Sequence, residues 1–586
     1  MKIKKMISLK TFYYFLIIFI GIIFHLLFGY SMFDIFFKFP LNYGMTPHSS
    51  NLTEEEIPSN RVVLIILDGV RADTFFESVS SGKSPFLRNI VTKRGVYGIS
   101  HTKVPTETKP GFTAICSGHF EDASLALKNL YNKEVTFDSI FNQSLYSIGI
   151  GQDACMFDKV AKQMECIKLK IQENFNDNRA EQEDFKIFHE LINKMNKAKF
   201  LKNSQLYKNL NTKKNAFLIH LVQGDGISHK DGPKSDRIRN YLIKLDSYYE
   251  KLEKYFNEFY NDNKTTFIIT ADHGMDMRKA HGDGNPDCTR TPFVIWGSGI
   301  REAIYREKKS ESEDTPNSWG LNNYQRKDVQ QIDLAPLIAG LLGINYPMNS
   351  LGIIPLEVFD ANDKIKSKLL YGNMMELFEL YKIKDDIESK AVIYKTFEPL
   401  INYDNLMKNI FDNINKGNYS QAINDTNNFI NLTLQGIDYI LHYDRTYLKT
   451  IVSLGYISWM IYLIIFIKMK NENVLNKFFF YYPKESKVTL FNFCILFILY
   501  LYLYLRLSPF MHFIYTLFPC YFFWRITANI KYLKSFFIFT NENKTVLINI
   551  SYYIITLLAF FSIVSNIIII LIKLSMYRQF YSMKEK

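Results

Sequence analysis

The sequence predicts an α/β domain, a sandwich around a mainly parallel sheet, accompanied by an N-terminal membrane anchor and a C-terminal multi-span α-helical membrane region. Three observations carry this reading. Short β-branched, apolar runs stop abruptly at acids and imidazoles: Thr265 to Ala271 into Asp272-His273-Gly274, Val62 to Leu67 into Asp68-Gly69, and Ala216 to Val222 into Asp225 and His229. Buried parallel strands end this way when their carboxyl edge carries chemistry. From about 60 to 360 such runs alternate with amphipathic helical segments, the α/β pattern. Residues 12–33 and several stretches after 449 are almost wholly apolar, with a segment of globular composition between them.

At 586 residues the chain exceeds one ordinary domain. It divides into an anchor segment (1–35), the α/β domain (36–360), a helical connector (361–448) and a polytopic membrane region (449–586). Phe12 to Phe33 is long enough to span a bilayer. No small-residue cleavage motif closes it, so it reads as an uncleaved signal anchor. Lys2, Lys4, Lys5 and Lys10 then stay cytosolic and everything after Asp34 lies across the membrane. His25, inside the span, reads as an interfacial or helix-packing residue and not a ligand.

Asp236 to Asn257 forms an amphipathic pattern, with Ile238, Tyr241, Leu242, Leu245, Tyr248 and Tyr249 on one face. Residues 302–330 are polar and read as a surface excursion, after which Ile332 to Ala339 returns to helix. Residues 361–445 look helical and Asn-rich. Apolar spans follow at about 450–467, 488–505, 509–524 and 546–572, while 529–541 is broken by Lys531 and Lys534. With the anchor this makes five or six spans, and the basic tail (Lys573, Arg578, Lys584, Lys586) favours an even number. Sequons at Asn51, Asn263 and Asn431 fall on the non-cytosolic side.

The formal charge of +12 does not point to nucleic acid, because no interleaved basic and aromatic binding motif is present. Much of the excess flanks the apolar spans, at the N-terminal lysines and at Lys468, Lys470, Lys477, Lys484 and Lys487, as the positive-inside rule requires. Of six cysteines, Cys494 and Cys520 fall in spans. Cys116, Cys155, Cys166 and Cys288 lack CxxC spacing, which excludes a zinc ribbon. Cys155–Cys166 is a candidate disulfide if the compartment oxidises.

Three strand ends that deliver Asp and His to one edge make a metal-site pattern, and His281-Gly282-Asp283-Gly284 adds an imidazole within loop reach. Asp225 and His229 are one helical turn or a tight loop apart, so both can face one ion. Taken singly each Asp is a turn residue and each His a surface residue; jointly they favour metal. In Pro105-Thr106-Glu107-Thr108-Lys109-Pro110-Gly111-Phe112, Pro110 suits the first turn of a helix through Ala114 and Ile115. Thr108 then sits just outside the helix N-terminus, where amides and dipole favour an anion. An isolated Thr there would be a plain cap.

Three longer stretches carry a resemblance: Leu67 to Asp73, Ser100 to Gly111, and Ala271 to Met275. Asn285 to Gly297 and Gln331 to Pro347 join them. They resemble the GPI ethanolamine phosphate transferases, a membrane branch of the alkaline phosphatase superfamily, and within it the first-mannose enzymes. The resemblance runs from the anchor to about residue 440 and implies an alkaline-phosphatase-like sandwich. It implies two divalent metal ions, one held by Asp68, Asp272, His273 and the Thr108 oxygen, the other by Asp225, His229 and His281. These ligand types suit zinc. Thr108 would be the nucleophile, with Thr106 a competitor two residues away. A metal lowers a hydroxyl pKa and removes the need for a Ser–His–Asp pattern. Lys109, Glu121, Asp122 and Asp153 would line the substrate pocket, a role weighed equally against surface roles.

The implied reaction moves ethanolamine phosphate from phosphatidylethanolamine to a mannosylated GPI lipid, at the endoplasmic reticulum membrane with the catalytic domain lumenal. Relatives carry a longer polytopic C-terminal region, so the expectation is a reduced but active enzyme. Two rival readings remain. One keeps the metals and uses water as acceptor, as a membrane-tethered phosphodiesterase or phosphatase. The other is a non-enzymatic membrane scaffold, disfavoured because all seven ligand positions are intact. A sulfatase is disfavoured because Cys116-Ser117-Gly118 lacks Cys-x-Pro-x-Arg.

Overall fold

The computed structural model describes residues 2–36, 41–121, 137–167, 181–307, 314–471, 486–530 and 532. The span expected at 546–572, most of the broken segment 529–541, the basic tail, Lys477, Lys484 and Asp122 lie outside them. The chain forms two units. One comprises Phe39–Asp386 and Phe397–Asp438; the other comprises Met1–Lys38, Ile387–Thr396 and Tyr439–Lys586. Residues 361–386 and 397–438, most of the expected connector, therefore cluster with the sheet.

The first unit is built on eight strands: β1 (Arg61–Leu67), β2 (Gly95–His101), β3 (Tyr146–Ile150), β4 (Met164–Ile167), β5 (Asn215–Leu221), β6 (Thr265–Ala271), β7 (Arg290–Gly297) and β8 (Val329–Gln330), in the order β4-β3-β5-β1-β6-β7-β2-β8. The expected mainly parallel sheet is observed. Only β7 runs against its neighbours, β6 and β2. Every residue of β1, β5 and β6 is buried, which is why these strands read as unbroken apolar runs and not as alternation.

One face of the sheet packs against helix Asp236–Tyr260, through Ile238, Tyr241, Leu242, Leu245 and Tyr249, and against Ile187, Phe188 and Leu191 of helix Glu181–Phe200. Each such side chain contributes about 1.5–3 kcal/mol by leaving water. Helices Thr108–Ser117 and Leu334–Leu342 lie together on the opposite side, Leu334–Leu342 against β1. The sandwich is thus closed on both faces. Residues 302–330 are more than a surface excursion. Trp319 and Leu321 reach the core and the segment returns as edge strand β8 beside β2. Cys155 and Cys166 form a disulfide.

Among the described residues, Tyr14–Met32, Tyr419–Lys470 and Lys487–Leu505 contain the windows long and apolar enough to cross a membrane; the first and last belong to the second unit, and the middle stretch belongs to it from Tyr439 onward. The helix Phe510–Ala528 covers the expected span at 509–524 but is not among them. His512, Pro519 and Arg525 dilute its apolar character. His25 plays the packing part expected of it, with Nδ1 2.6 Å from the Gly21 carbonyl and its ring edge-on to Tyr456 and Trp459.

Candidate metal centre

β5, β1 and β6 are adjacent and parallel, with Leu67 opposite both Leu221 and Ala271. That register makes Asp68 and Asp272 emerge side by side from the same edge. Gly69 follows at φ +67°, and a Cβ there would stand 2.7 Å from Asp225 Oδ1, so only glycine lets the chain turn beside that acid. The Gly69 and His273 amides donate to Asp272 Oδ1 at 3.2 and 2.8 Å. One Asp272 oxygen is thereby occupied, while Oδ2 is buried without a hydrogen-bond partner. Gln331 Nε2 holds the Asp272 carbonyl at 2.7 Å. His273 Nε2 lies 3.4 Å from Asp68 Oδ1 and 3.8 Å from Asp272 Oδ2.

Asp225 and His229 occupy successive turns of helix Gln223–Asp231, directly after β5. Asp184 fixes the start of this helix, accepting from the Val222 and Gln223 amides at 3.2 and 2.9 Å and from the Tyr241 hydroxyl at 2.6 Å. His229 Nε2 lies 3.4 Å from Asp225 Oδ2. His281 Nε2 lies 3.7 Å from Asp225 Oδ1, and its ring stacks on that of His273 at 4.0 Å. Two groups of potential ligand atoms result: Asp68, Asp272 and His273, and Asp225, His273 and His281. The structure thus gathers Asp68, Asp225, Asp272, His273 and His281. It places His273 in both groups, and half-exposed His229 beside the second.

Thr108 is the first residue of helix Thr108–Ser117, one position inside the start expected for it, with Pro110 in the first turn. The helix seats against the edge because Gly111 meets Asp272, where a Cβ would come within 2.6 Å of the Asp272 carbonyl oxygen. Helix N-termini present amides without intrahelical partners. Thr106 is different. It is fully buried, and its hydroxyl donates to the Asp283 carbonyl and accepts from the Gly282 amide, both at 2.8 Å. Its carbonyl meets His281 Nδ1 at 2.9 Å. Thr106 therefore ties the His281 loop in place. Lys109 pairs with Glu121 at 3.2 Å. Asp153 lies at the same sheet edge after β3, its carboxylate 4.0 Å from His220 Nδ1.

His220 and Glu107 were missing from the sequence reading. His220 is fully buried inside β5, with Nε2 3.3 Å from Asp68 Oδ2, while Nδ1 accepts the Asp153 amide at 3.3 Å. Glu107 Oε2 lies 3.4 Å from His281 Nδ1. His220 had one signal, an imidazole within an otherwise apolar strand; Glu107 had none beyond its place beside Thr108.

Burial pushes the Asp68 carboxyl far above its usual range, and the neighbouring Asp272, Asp225 and Asp153 push it further. Burial likewise raises Asp272 to about 6, against the pull of His220 and two amides. Burial and then His281 lower His273 to about 4. At Asp225 burial opposes ionisation, but His229, His281, His273 and His220 outweigh it and the pKa falls. Burial also opposes protonation of His281, yet Glu107 and Asp225 prevail and raise it. Three carboxylates converge here out of water, an arrangement a cation relieves. Asp68 Oδ1, Asp225 Oδ1, Asp272 Oδ2 and His273 Nε2 are all buried without hydrogen-bond partners. Those four atoms belong to the two ligand groups, so the residues fit bound metal.

A family model described as type I phosphodiesterase / nucleotide pyrophosphatase matches residues 62–282, a range that runs from before Asp68 to just past His281. A second, phosphatidylinositolglycan class N, matches residues 435–584. GPI ethanolamine phosphate transferase 1 of Saccharomyces cerevisiae is 35% identical over 561 residues, 91% of this chain and 60% of its own length. Over most of its length the chain is similar to the GPI ethanolamine phosphate transferase 1 family. The Candida glabrata family member is 33% identical over 553 residues, 89% of this chain and 58% of its own. The chain thus spans about 60% of the length of these relatives. A solved structure from Vibrio parahaemolyticus, a protein in the alkaline phosphatase superfamily, matches 55% of this chain and 77% of its own with 13% identity and a TM-score of 0.34.

Proposed function

We propose that this chain transfers ethanolamine phosphate from phosphatidylethanolamine to the first mannose of a GPI precursor, with Thr108 as nucleophile. Two zinc ions would be held by Asp68, Asp272, His273 and the Thr108 oxygen, and by Asp225, His229 and His281. Mixed carboxylate and imidazole donors suit zinc. When bound, the ions would lower the Thr108 hydroxyl pKa and offset charge on the phosphoryl oxygens. The observation that carries this reading is the seating of the Thr108 helix, through Gly111, on the Asp272 backbone, beside the four unpartnered ligand atoms. Thr106, fully engaged with the His281 loop, supports Thr108 as the reacting threonine.

In the first step Thr108 Oγ1 bonds to phosphorus and the bond to the diacylglycerol oxygen breaks, the threonine proton ending on diacylglycerol. In the second the mannose hydroxyl oxygen bonds to phosphorus, the Thr108 ester breaks and the proton returns to Thr108. The Thr108 helix N-terminus orients the anionic phosphoryl oxygens throughout. The sheet unit would lie in the lumen of the endoplasmic reticulum, with the N-terminal lysines cytosolic.

The test is incubation of the full chain with headgroup-labelled phosphatidylethanolamine and a mannosylated GPI lipid. Label on the mannolipid, and on a Val104–Phe112 peptide when acceptor is withheld, is the expected result. Release of free phosphoethanolamine with no labelled mannolipid would instead establish the hydrolytic reading, which the phosphodiesterase match over 62–282 favours as the second choice.

A further inference from the structure

Residues Ile387–Thr396 are short and polar enough to pass as a linker, yet they belong to the unit that contains the apolar spans. Their placement has a specific cause. The Val392 amide donates to the carbonyl of Leu505, the last residue of the helix Ser486–Leu505, at 2.9 Å. The next residue, Arg506, pairs through Nη1 with Glu388 at 2.6 Å and through Nε with Asp444 at 3.2 Å, and its guanidinium lies 4.4 Å from the Tyr443 ring centroid. Tyr439 donates to the Lys395 carbonyl at 2.8 Å, and the Tyr394 and Tyr443 rings stand 5.1 Å apart. A clamped turn results at the end of a span, with tyrosines and a paired arginine around it. Such residues mark the boundary between acyl chains and headgroups.

The tip of that turn is apolar and bare. Val392 is 78% exposed and Ile393 is also exposed. On the adjoining helix, Leu490, Phe493, Phe497, Leu501 and Tyr504 are exposed at three- and four-residue spacing, which makes one continuous stripe. Leu507 and Phe510, 62% and 76% exposed, continue the apolar exposure past the helix end, where the Val392 turn is attached. A stripe of this length on a helix fit to cross a bilayer faces acyl chains. The turn extends that same surface.

We propose that Ile387–Thr396 is a lipid-binding turn that inserts Val392 and Ile393 into the headgroup boundary of the bilayer, level with the end of the span Lys487–Leu505. Its partner is a phospholipid surface. The turn interrupts the sheet unit's own sequence, between Asp386 and Phe397.

Full-length Val392→Cys, in a Cys494→Ser/Cys520→Ser background, would be labelled with a nitroxide and reconstituted into phosphatidylcholine–phosphatidylglycerol vesicles. Collision rates with oxygen and with a water-soluble nickel chelate are then compared. Phe497→Cys marks the lipid stripe and Phe200→Cys, on the sheet unit, marks water. Oxygen should exceed nickel at Val392 several-fold, as at Phe497. A nickel-dominated signal matching Phe200 overturns the proposal, whether water or a protein partner covers the turn. Should Val392→Cys fail to fold, Ile393→Cys is read against the same two references.

Discussion

Thr106 Oγ1 donates to the Asp283 carbonyl at 2.8 Å, and this bond separates two threonines that the sequence left in competition. Thr106 braces the loop that carries His281, while Thr108 starts the helix seated against Asp272. Thr108→Ala should abolish transfer and the trapped covalent intermediate, yet leave at least one ion bound. Thr108→Ser should keep partial activity because the hydroxyl remains. Thr106→Ala removes the hydroxyl that holds the half-buried Gly282 amide and costs about 1 kcal/mol of stability. Its signature should be weaker metal retention with the intermediate still formed on residue 108. Peptide mass spectrometry of both variants decides; an active Thr108→Ala would reassign the nucleophile.

His220 sets the orientation of Asp68. An imidazole that accepts the Asp153 amide at Nδ1 carries its proton on Nε2, which faces Asp68. Removing such an outer partner of a ligand costs roughly 10–100-fold in metal affinity. His220→Ala should show that loss in a chelator competition at constant protein stability, and His220→Asn, which can keep a donor toward Asp68, should recover part of it. Unchanged affinity in His220→Ala would remove His220 from the site.

Gly69→Ala tests the sheet edge itself. The left-handed backbone costs about 1–2 kcal/mol for a residue with a Cβ, and the methyl would also drive into Asp225. Activity should fall at least 100-fold with loss of one ion, measured by elemental analysis. Wild-type stoichiometry and rate would show that the loop relaxes freely.

Glu376 should govern part of the pH dependence of stability. It is buried, with Oε2 accepting the His48 amide at 3.3 Å and Oε1 unpartnered. Burial pushes its pKa up to about 9, helped by Asp138 and Glu379 against the His48 amide. The folded pKa lies above the unfolded one, so the contribution is complete below about pH 4.5 and disappears as pH rises toward 9. At pH 8 the cost is on the order of 4–5 kcal/mol. Glu376→Gln should therefore raise the melting temperature at pH 8, change it little at pH 4.5, and flatten the slope between. A uniform shift at every pH would mean that packing and not charge is responsible.

The sheet and most of the acids and imidazoles gathered at its edge were legible because punctuation at strand ends is a local signal. Asp68 and Asp272-His273 follow apolar runs directly, Asp225 comes three residues after Val222, and the register of β5, β1 and β6 does the rest. His220 was not legible as a site residue, since one imidazole within a buried strand looks the same in sequence whether it faces a ligand or plain core. The task of Thr106 depends on Gly282 and Asp283, about 175 positions away, a separation no local pattern spans. The 302–330 segment misled because its polar composition outweighed Trp319 and Leu321. The Val392 turn was invisible because its surroundings come from residues 439–510.

The two ligand groups hang on mounts of unequal stiffness. Asp68 and Asp272-His273 extend directly from fully buried central strands, which open only with the whole sheet. His281 rides on a loop fastened by Thr106 and Glu107, and His229 is half solvent-facing on a nine-residue helix. If both proposed ions are bound, their exchange should accordingly be biphasic. On transfer to a zinc-isotope bath, one equivalent should equilibrate as the loop breathes, while the other persists until the sheet melts.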